Sequence, residues 1–398
     1  MLRELLNRNV LILFGCQTVF VSGTVVLITV GGIIGHDIAP DPSLATLPVA
    51  LMVVGTALTT IPAAMTMQRI GRRYGFMVGA GVAFTGAFLV TRALAADSFV
   101  LFCIGTSLMG ASLGFSQQFR FAAAESVSTD AVSYAVSFIL LGSIAGAFAA
   151  PELIQASLRM EASDQGSQYS GAFQLAMGLY VFAVVLMVGI KSTIHLGESE
   201  RQGGRSVLQL AQQPKFITAV LAGMIGQGLM TYVMTATPIS MNVSVGFSIE
   251  ETSSVIRAHV IAMYLPSLIT PWLIGRLGLS RVMMMGIICF AITLGIGLAG
   301  HHYMHYWGSM VLLGVGWNFL FVSGTTMLTQ TYEPEERFRG QAANDFAVFS
   351  ASATASLLAG SVLHAYGWEW LLVTGMPALV VMLGALFWLY RSPEPVKA

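Results

Sequence analysis

The chain of 398 residues is 55% hydrophobic and only 10% charged, and its 19 basic and 19 acidic residues leave no formal net charge. Soluble domains carry about 25% charged residues, so this composition excludes a protein whose whole surface faces water. No G-x-x-x-x-G-K-[ST] string occurs, and the sequence therefore gives no support for ATP drive within this chain.

Apolar segments of about 20 residues, the length that crosses a bilayer core as a helix, recur along the chain. Their hydrophobicity is continuous rather than alternating, which favours helices over a closed barrel. We therefore predict an all-α membrane protein with twelve transmembrane helices, over residues 9–35, 44–67, 75–96, 98–123, 131–155, 169–190, 216–243, 252–274, 282–300, 307–330, 341–364 and 370–390.

The basic residues predict how these segments are oriented. With both termini inside, the cytoplasmic segments hold 15 of the 19 Lys and Arg residues, whereas acids such as Asp37, Asp41 and Glu250 collect outside. This is the positive-inside pattern of membrane proteins, and it is not a nucleic-acid patch. We expect an integral protein of a bacterial inner (cytoplasmic) membrane, with the lipid bilayer and not nucleic acid as a partner.

A basic, glycine-marked hinge follows the second segment and occurs again after the eighth. The first reads "QRIGRRYGFMVG" (68–79) and the second "GRLGLSRVMMMG" (275–286). Glycines allow helix backbones to approach closely, and the arginines hold the loop inside. Aligning Arg69 with Arg276 places Gly71 on Gly278 and Gly79 on Gly286, and a separate alignment of Gly110 with Gly314 places Phe115 on Phe319.

The chain divides at its longest polar stretch, residues 191–215, with six segments on each side. We predict an N-terminal six-helix bundle over 1–190, a cytoplasmic linker over 191–215 and a C-terminal six-helix bundle over 216–398. An internal repeat in a helical membrane protein favours bundles related by pseudo-two-fold symmetry and built of inverted repeats. Such proteins rock around a site between the halves near mid-membrane.

Polar residues inside apolar helices are costly and are default candidates for a site. Gln227, Thr231, Thr235, Pro238 and Asn242 are spaced by four, four, three and four residues, which places them on one helical face of the seventh segment. This pattern predicts a face lining a cavity. The alternative is helix packing, with the threonines bonded to their own backbone.

The tenth segment carries "GVGWNFLF", in which Asn318 lies about 16 Å from the outer end and so near the midplane. Trp317 precedes it, and Phe321 and Thr325 follow along what we predict to be the Asn318 face. An aromatic wall beside one amide suits a planar organic ligand, although aromatic residues at helical spacing also serve packing.

In the eighth segment Arg257 and His259 are about 200° apart around the helix, so both cannot point into one cavity. His259 is the deeper residue, and histidine titrates near physiological pH, so we predict it as a residue for proton coupling or substrate binding. In the first half Gln17 and Arg120 are predicted as substrate contacts. Arg120 could instead pair with an acid such as Glu125, or mark the membrane interface.

Three patterns suggest chemistry that the sequence does not support. Cys16, Cys103 and Cys289 each fall within a segment, without metal or disulfide spacing. The string "GASLG" (110–114) matches a nucleophile motif but lies inside an apolar helix. "HHYMHYW" (301–307) is typical of membrane-interface anchors. We therefore expect no metal site, no cofactor and no enzymatic activity.

Residues 64–79, "AMTMQRIGRRYGFMVG", resemble the loop motif of the major facilitator superfamily, G-x-L-a-D-R-x-G-R-[RK] with a following glycine. "LLGSIAGAFAAPEL" (140–153) resembles the fifth-span pattern of that family, and the resemblance covers the whole chain. It implies a gating loop of Arg69, Gly71, Arg72 and Arg73 that helps fix one access state. The phrases "MTATPISM" (234–241) and "GVGWNFLFVSGTTMLT" (314–329) are similar to a bacterial subgroup.

The sequence departs from the family pattern at Ala64 and at Gln68, where the motif has glycine and an acid. The resemblance implies Asp345, about one turn into the eleventh span, as a substitute acidic partner for the loop. The alternative is an acid favoured by the positive N-terminus of its helix. Thr106 occupies the place of a family arginine linked to proton coupling, so coupling does not carry over from that motif.

The resemblance implies a monomeric secondary transporter that moves a small organic solute by alternating access, with protons as a candidate coupling partner. Two substrate readings stay open, vitamin (riboflavin-like) uptake and drug or metabolite efflux. A second function class is a non-transporting membrane receptor or sensor on the same fold. The short polar segments offer no output domain, which disfavours that alternative.

Overall fold

The fold is described from a computed structural model of the chain, covering residues 6–41, 44, 47–160, 169–191 and 204–392. Within these residues the chain is helical and contains no β-strand. It divides into two compact units, Met1–Gln202 and Gly203–Ala398. Most of the predicted linker, residues 192–203, lies outside the described residues.

The first unit holds six membrane-spanning segments. The fourth span consists of two consecutive helices, because the chain turns at Gln117 and Gln118. The helices of this unit are α1 (Arg8–Ile38), α2 (Leu47–Ile70), α3 (Arg72–Ala95), α4 (Phe99–Ser116), α5 (Phe119–Ala124), α6 (Val132–Met160) and α7 (Ser170–Val188).

The second unit begins with a short helix at the end of the predicted linker. Its eighth span is broken by the 3-10 turn Leu265–Leu268, and the two parts are bent by 50°. The helices are α8 (Val207–Leu210), α9 (Pro214–Ile239), α10 (Ile249–Tyr264), α11 (Thr270–Leu277), α12 (Leu279–Ala299), α13 (Tyr303–Leu328) and α14 (Arg337–Arg391).

The described helices account for twelve spans. Ten are long and apolar enough to cross a membrane, and the bent eighth span makes eleven. One of the ten, α14, has 55 residues and would be about 82 Å long, far more than the roughly 30 Å of a bilayer core. Gly367 interrupts it with φ 85, which divides it into the eleventh and twelfth spans. The predicted number of transmembrane helices is thus confirmed.

The two glycine hinges have the same backbone geometry. Gly71 has φ 84 and ψ 162, and Gly278 has φ 83 and ψ 161. A Cβ atom at either position would meet nothing within 4 Å, so the positive φ, and not crowding, requires glycine there. Each hinge separates two helices of its unit, as the alignment of the halves predicts.

One helix contact occurs in the same form within each unit. A Cβ added to Gly79 would lie 2.6 Å from the Cβ of Phe115, and one added to Gly286 would lie 3.2 Å from the Cβ of Phe319. These glycines permit the third and ninth spans to approach the fourth and tenth. The contacts agree with the predicted correspondence of Gly79 with Gly286 and of Phe115 with Phe319.

An ion pair fixes the end of the predicted linker to the second unit. The Glu336 carboxylate, 2% exposed, accepts hydrogen bonds from the backbone N–H (2.6 Å), Nε (2.8 Å) and Nη2 (2.7 Å) of Arg205. The side-chain hydrogen bonds from Arg205 lower the pKa of Glu336 to about 2, because they stabilise the charged carboxylate. The pair therefore stabilises the fold above the ordinary carboxyl pKa, and this contribution is lost as the pH falls toward 2.

Candidate functional site

An aromatic cluster lies on the tenth span. The Trp317 indole stacks on the Phe321 ring with centroids 4.7 Å apart and an angle of 18°, and the Tyr264 ring meets it edge-on at 5.7 Å. Phe321 lies four residues, about one turn, after Trp317. The Phe321 ring pairs with Trp317, and its placement along the face of Asn318 stays a prediction.

The seventh-span face joins this cluster through Gln227. The Nε1–H of Trp317 donates to Gln227 Oε1 at 2.7 Å. One turn further on, the hydroxyl of Thr231 lies 2.8 Å from that of Ser352 on the eleventh span. Gln227, Thr231 and Thr235 are all half-buried, so this face is neither packed in the core nor fully open.

Asn318 points to a different neighbour. Its side chain is fully buried, and its Nδ2 donates to Met263 O and to Ser267 Oγ, both at 2.7 Å. Its Oδ1 accepts from Thr270 Oγ1 at 2.7 Å. The amide thus bonds both parts of the broken eighth span. The prediction of an amide presented to a ligand is corrected, because these bonds use its hydrogen-bonding groups.

His259 is likewise fully buried, where the eighth span meets the tenth. Its Nδ1 lies 2.8 Å from Met310 O, and because a carbonyl only accepts, Nδ1 carries the hydrogen. Nε2 is then an acceptor, and it has no hydrogen-bond partner within the described part of the chain. Arg257 is exposed, so the two side chains point to different environments, as their spacing predicts.

In the first unit Gln17 bonds to a neighbouring span, and Arg120 contacts residues of its own span. Gln17 Nε2 donates to Ser143 Oγ at 2.9 Å, which joins the first and fifth spans. The Arg120 guanidinium is 3% exposed, lies 4.7 Å from the centroid of the Phe121 ring and donates to Gln117 Oε1 at 3.2 Å. Arg120 is therefore a buried cation rather than an exposed marker of the membrane interface.

The gating loop is tied to the end of the fourth span. Arg72 Nε donates to Glu125 Oε2 at 2.9 Å, and its Nη1 donates to Gln118 Oε1 at 3.0 Å. Its Nη2 is bonded to the other oxygen of the same carboxylate. Glu125, considered above as a partner of Arg120, is thus bound by Arg72. In the same loop Arg69 is exposed, and the Arg73 guanidinium lies 5.6 Å from the centroid of the Tyr74 ring.

Asp345, the predicted partner of the gating loop, is a fully buried side chain near the start of α14. Its Oδ1 accepts a hydrogen bond from Asn344 Nδ2 at 3.0 Å. The prediction of a latch to the Arg69–Arg73 loop is not decided by this bond and stays a prediction.

Several residues that support the cluster were not predicted. Tyr264 is the last residue of α10, and Ser352 is one of many small residues in its span, so neither is distinguished by sequence pattern. Ser267 and Thr270 lie between Pro266 and Pro271, and this pair of prolines could have indicated a break in the eighth span.

These features define a class of protein, a helical membrane protein of two six-span units. A profile described as Major Facilitator Superfamily matches residues 216–398. The riboflavin transporter RfnT of Brucella anthropi is 36% identical over 380 residues, which are 94% of each chain. An uncharacterised MFS-type transporter of Bacillus subtilis, YddS, is 25% identical over 98% of this chain and 92% of its own.

The chain belongs to the major facilitator superfamily. It is an integral membrane protein and a secondary transporter for a small molecule, and it is not an enzyme. Solved structures with a similar fold include the Escherichia coli fucose:proton symporter FucP, at a TM-score of 0.72 and 15% identity over 96% of this chain and 98% of that one. The human organic anion transporter MFSD10 has a TM-score of 0.75 at 14% identity, over 95% and 99%.

Proposed function

We propose that the chain transports riboflavin, or a closely similar planar heteroaromatic solute, by alternating access. The observation that carries the proposal is its 36% identity to a riboflavin transporter over 94% of both chains. The bundles over 1–190 and 216–398 are the moving bodies, and 191–215 links them. The chain acts as a monomer in the inner membrane, with both termini in the cytoplasm.

The cluster around Trp317 supports a planar substrate. Stacked aromatic rings such as Trp317 and Phe321 offer a flat apolar surface, and planar rings favour offset stacking or edge contacts on such a surface. Gln227, Thr231 and Thr235 add polar groups along one helical face. Small-molecule sites usually combine a mostly apolar wall with a small number of polar groups.

The first unit supplies the other proposed contacts. Gln17 bonds to Ser143 through its amide nitrogen, and we assign its amide oxygen to the solute. The Arg120 side chain provides a buried positive charge. A buried cation attracts an electron-rich or anionic group more strongly than an exposed cation does, because the surrounding dielectric is lower. We assign Arg120 to the polar edge of the solute.

The transport assignment is tested with radiolabelled riboflavin in riboflavin-auxotrophic bacterial cells that express the chain. We expect accumulation well above vector-only cells, and unlabelled riboflavin should compete whereas a sugar such as fucose should not. Gln227→Ala should reduce affinity roughly 5- to 150-fold, since a lost buried hydrogen bond costs about 1–3 kcal/mol. Equal accumulation in expressing and vector-only cells, at verified membrane expression, would refute riboflavin as the solute.

Proton coupling is proposed to act through His259. Its Nε2 is an acceptor held inside the bundle without a described partner, and protonating it would place a charge between the eighth and tenth spans. We expect His259→Asn to flatten the pH profile of riboflavin uptake while binding at a fixed pH changes little. An unchanged profile in this variant would remove His259 from coupling.

A further inference from the structure

The Gln227 amide has one orientation that its surroundings allow. Trp317 is 4% exposed and is held between the face of Phe321 and the edge of Tyr264. Its indole N–H can only donate a hydrogen bond, so only the oxygen of the Gln227 amide can face it. The 2.7 Å bond between these atoms therefore fixes which end of the amide points away from Trp317.

The end that points away is the nitrogen. Nε2 carries two N–H groups, and within the described residues it has no hydrogen-bond partner, although the atom is not enclosed. The neighbouring polar group on this face, the Thr231 hydroxyl, is already bonded to Ser352. The half-buried face of the seventh span therefore presents two N–H donors at Gln227, whereas the amide oxygen is turned toward Trp317.

We infer that Gln227 is a specificity-determining residue that acts only as a hydrogen-bond donor, and that Trp317 enforces this polarity. This inference rests on the proposed function and adds a requirement for the solute, which must present an acceptor such as a ring carbonyl or an unprotonated ring nitrogen. A solute that presents an N–H at the same place would meet donor against donor.

The strength of the preference follows from the bond to Trp317. Reversing the amide would set its NH2 group against the indole N–H and leave a buried donor without a partner. The loss of one such bond corresponds to roughly 5- to 150-fold in an equilibrium. The Gln227 amide therefore cannot rotate by about 180° to suit the solute, as an unconstrained amide could.

The orientation is tested first without any ligand. In 15N-tryptophan-labelled full-length protein in detergent, the Trp317 indole N–H signal is assigned by comparison with Trp317→Phe. We expect Gln227→Glu to keep the signal in a hydrogen-bonded position, because a carboxylate still accepts. Gln227→Leu should move the signal toward the position of an unbonded indole. An indole signal that does not respond to Gln227→Leu would overturn the inference.

The donor role is then tested by riboflavin binding to the same proteins, followed through flavin fluorescence. Gln227→Glu should bind riboflavin at least tenfold more weakly at pH 8, and affinity should recover at lower pH, because a protonated carboxyl donates again. Gln212→Glu, the same change at an exposed position before the seventh span, should bind as the wild type does. Wild-type affinity for Gln227→Glu at pH 8 would also overturn the inference.

Failure of the proposed substrate is distinguishable from failure of the inference. If the wild type does not bind riboflavin, the substrate assignment is wrong, and the indole signals still decide whether Trp317 fixes the amide. Trp317→Phe separates the two parts further. It keeps an aromatic wall but releases the amide, so we expect riboflavin affinity to fall several-fold without the pH-dependent recovery that is expected for Gln227→Glu.

Discussion

Replacing Arg72 with alanine is expected to lower the free energy of unfolding by about 3 kcal/mol, because it removes the guanidinium that bonds both oxygens of the Glu125 carboxylate. The two side chains are only 10% and 12% exposed, so water cannot replace the lost hydrogen bonds fully. The Gln118 amide, fully buried, also loses the donor that bonds its oxygen. Thermal and denaturant unfolding of the purified protein in detergent measures the effect.

Arg72→Lys is the matched control for this prediction. Lysine keeps the positive charge but lacks the planar fork that reaches both oxygens of the carboxylate and Gln118 together. We expect a loss of about half that of the alanine variant. If the alanine variant unfolds at the same temperature as the wild type, the gating loop is not held by this ion pair.

Replacing Asn318 with alanine is expected to destabilise the second unit by about 2 kcal/mol and to affect substrate binding only indirectly. The change removes three hydrogen bonds to the eighth span. Hydrogen bonds between membrane helices contribute roughly 0.6 kcal/mol each on average, and unsatisfied buried groups raise the cost. Unfolding midpoints and riboflavin affinity measured on the same preparations check both parts.

Thr270→Val gives the graded comparison for Asn318. It removes one of the three bonds to Asn318 with little change of shape, and it also removes the bond from the Thr270 hydroxyl to Pro266 O, so we expect up to about half of the effect. An Asn318→Ala protein that is as stable as the wild type but binds substrate weakly would restore the ligand role that the sequence alone predicts.

Much of the fold could be predicted from the sequence because hydrophobic length and glycine placement are strong physical constraints. A helix crossing the bilayer needs about 20 apolar residues, so the spans follow directly from the sequence. The repeated glycines also indicate the two hinges, but Gly71 and Gly278 serve a positive φ and not the close helix approach that the sequence suggests. The break between the last two spans, at Gly367, falls between the predicted ends at 364 and 370.

The site was predictable only in part, because sequence spacing shows which residues share a face but not which neighbour that face meets. Trp317 and Asn318 are adjacent and so point about 100° apart, one toward the seventh span and the other toward the eighth. Pro266 has no N–H to donate at the break in the eighth span, and Asn318 bonds to Met263 O beside that break. This contact forms only when the eighth and tenth spans pack together, so residue spacing in the sequence does not reveal it.

We propose above all that this chain carries riboflavin across a membrane. The direct measurement is counterflow in proteoliposomes. Vesicles that contain the purified protein are loaded with unlabelled riboflavin and then diluted into labelled riboflavin. This exchange requires alternating access but not a known direction or coupling ion. We predict transient accumulation of label in wild-type vesicles, reduced in Gln227→Glu at pH 8. If label enters no faster than into protein-free vesicles, with riboflavin loaded and the protein folded, the chain does not transport riboflavin.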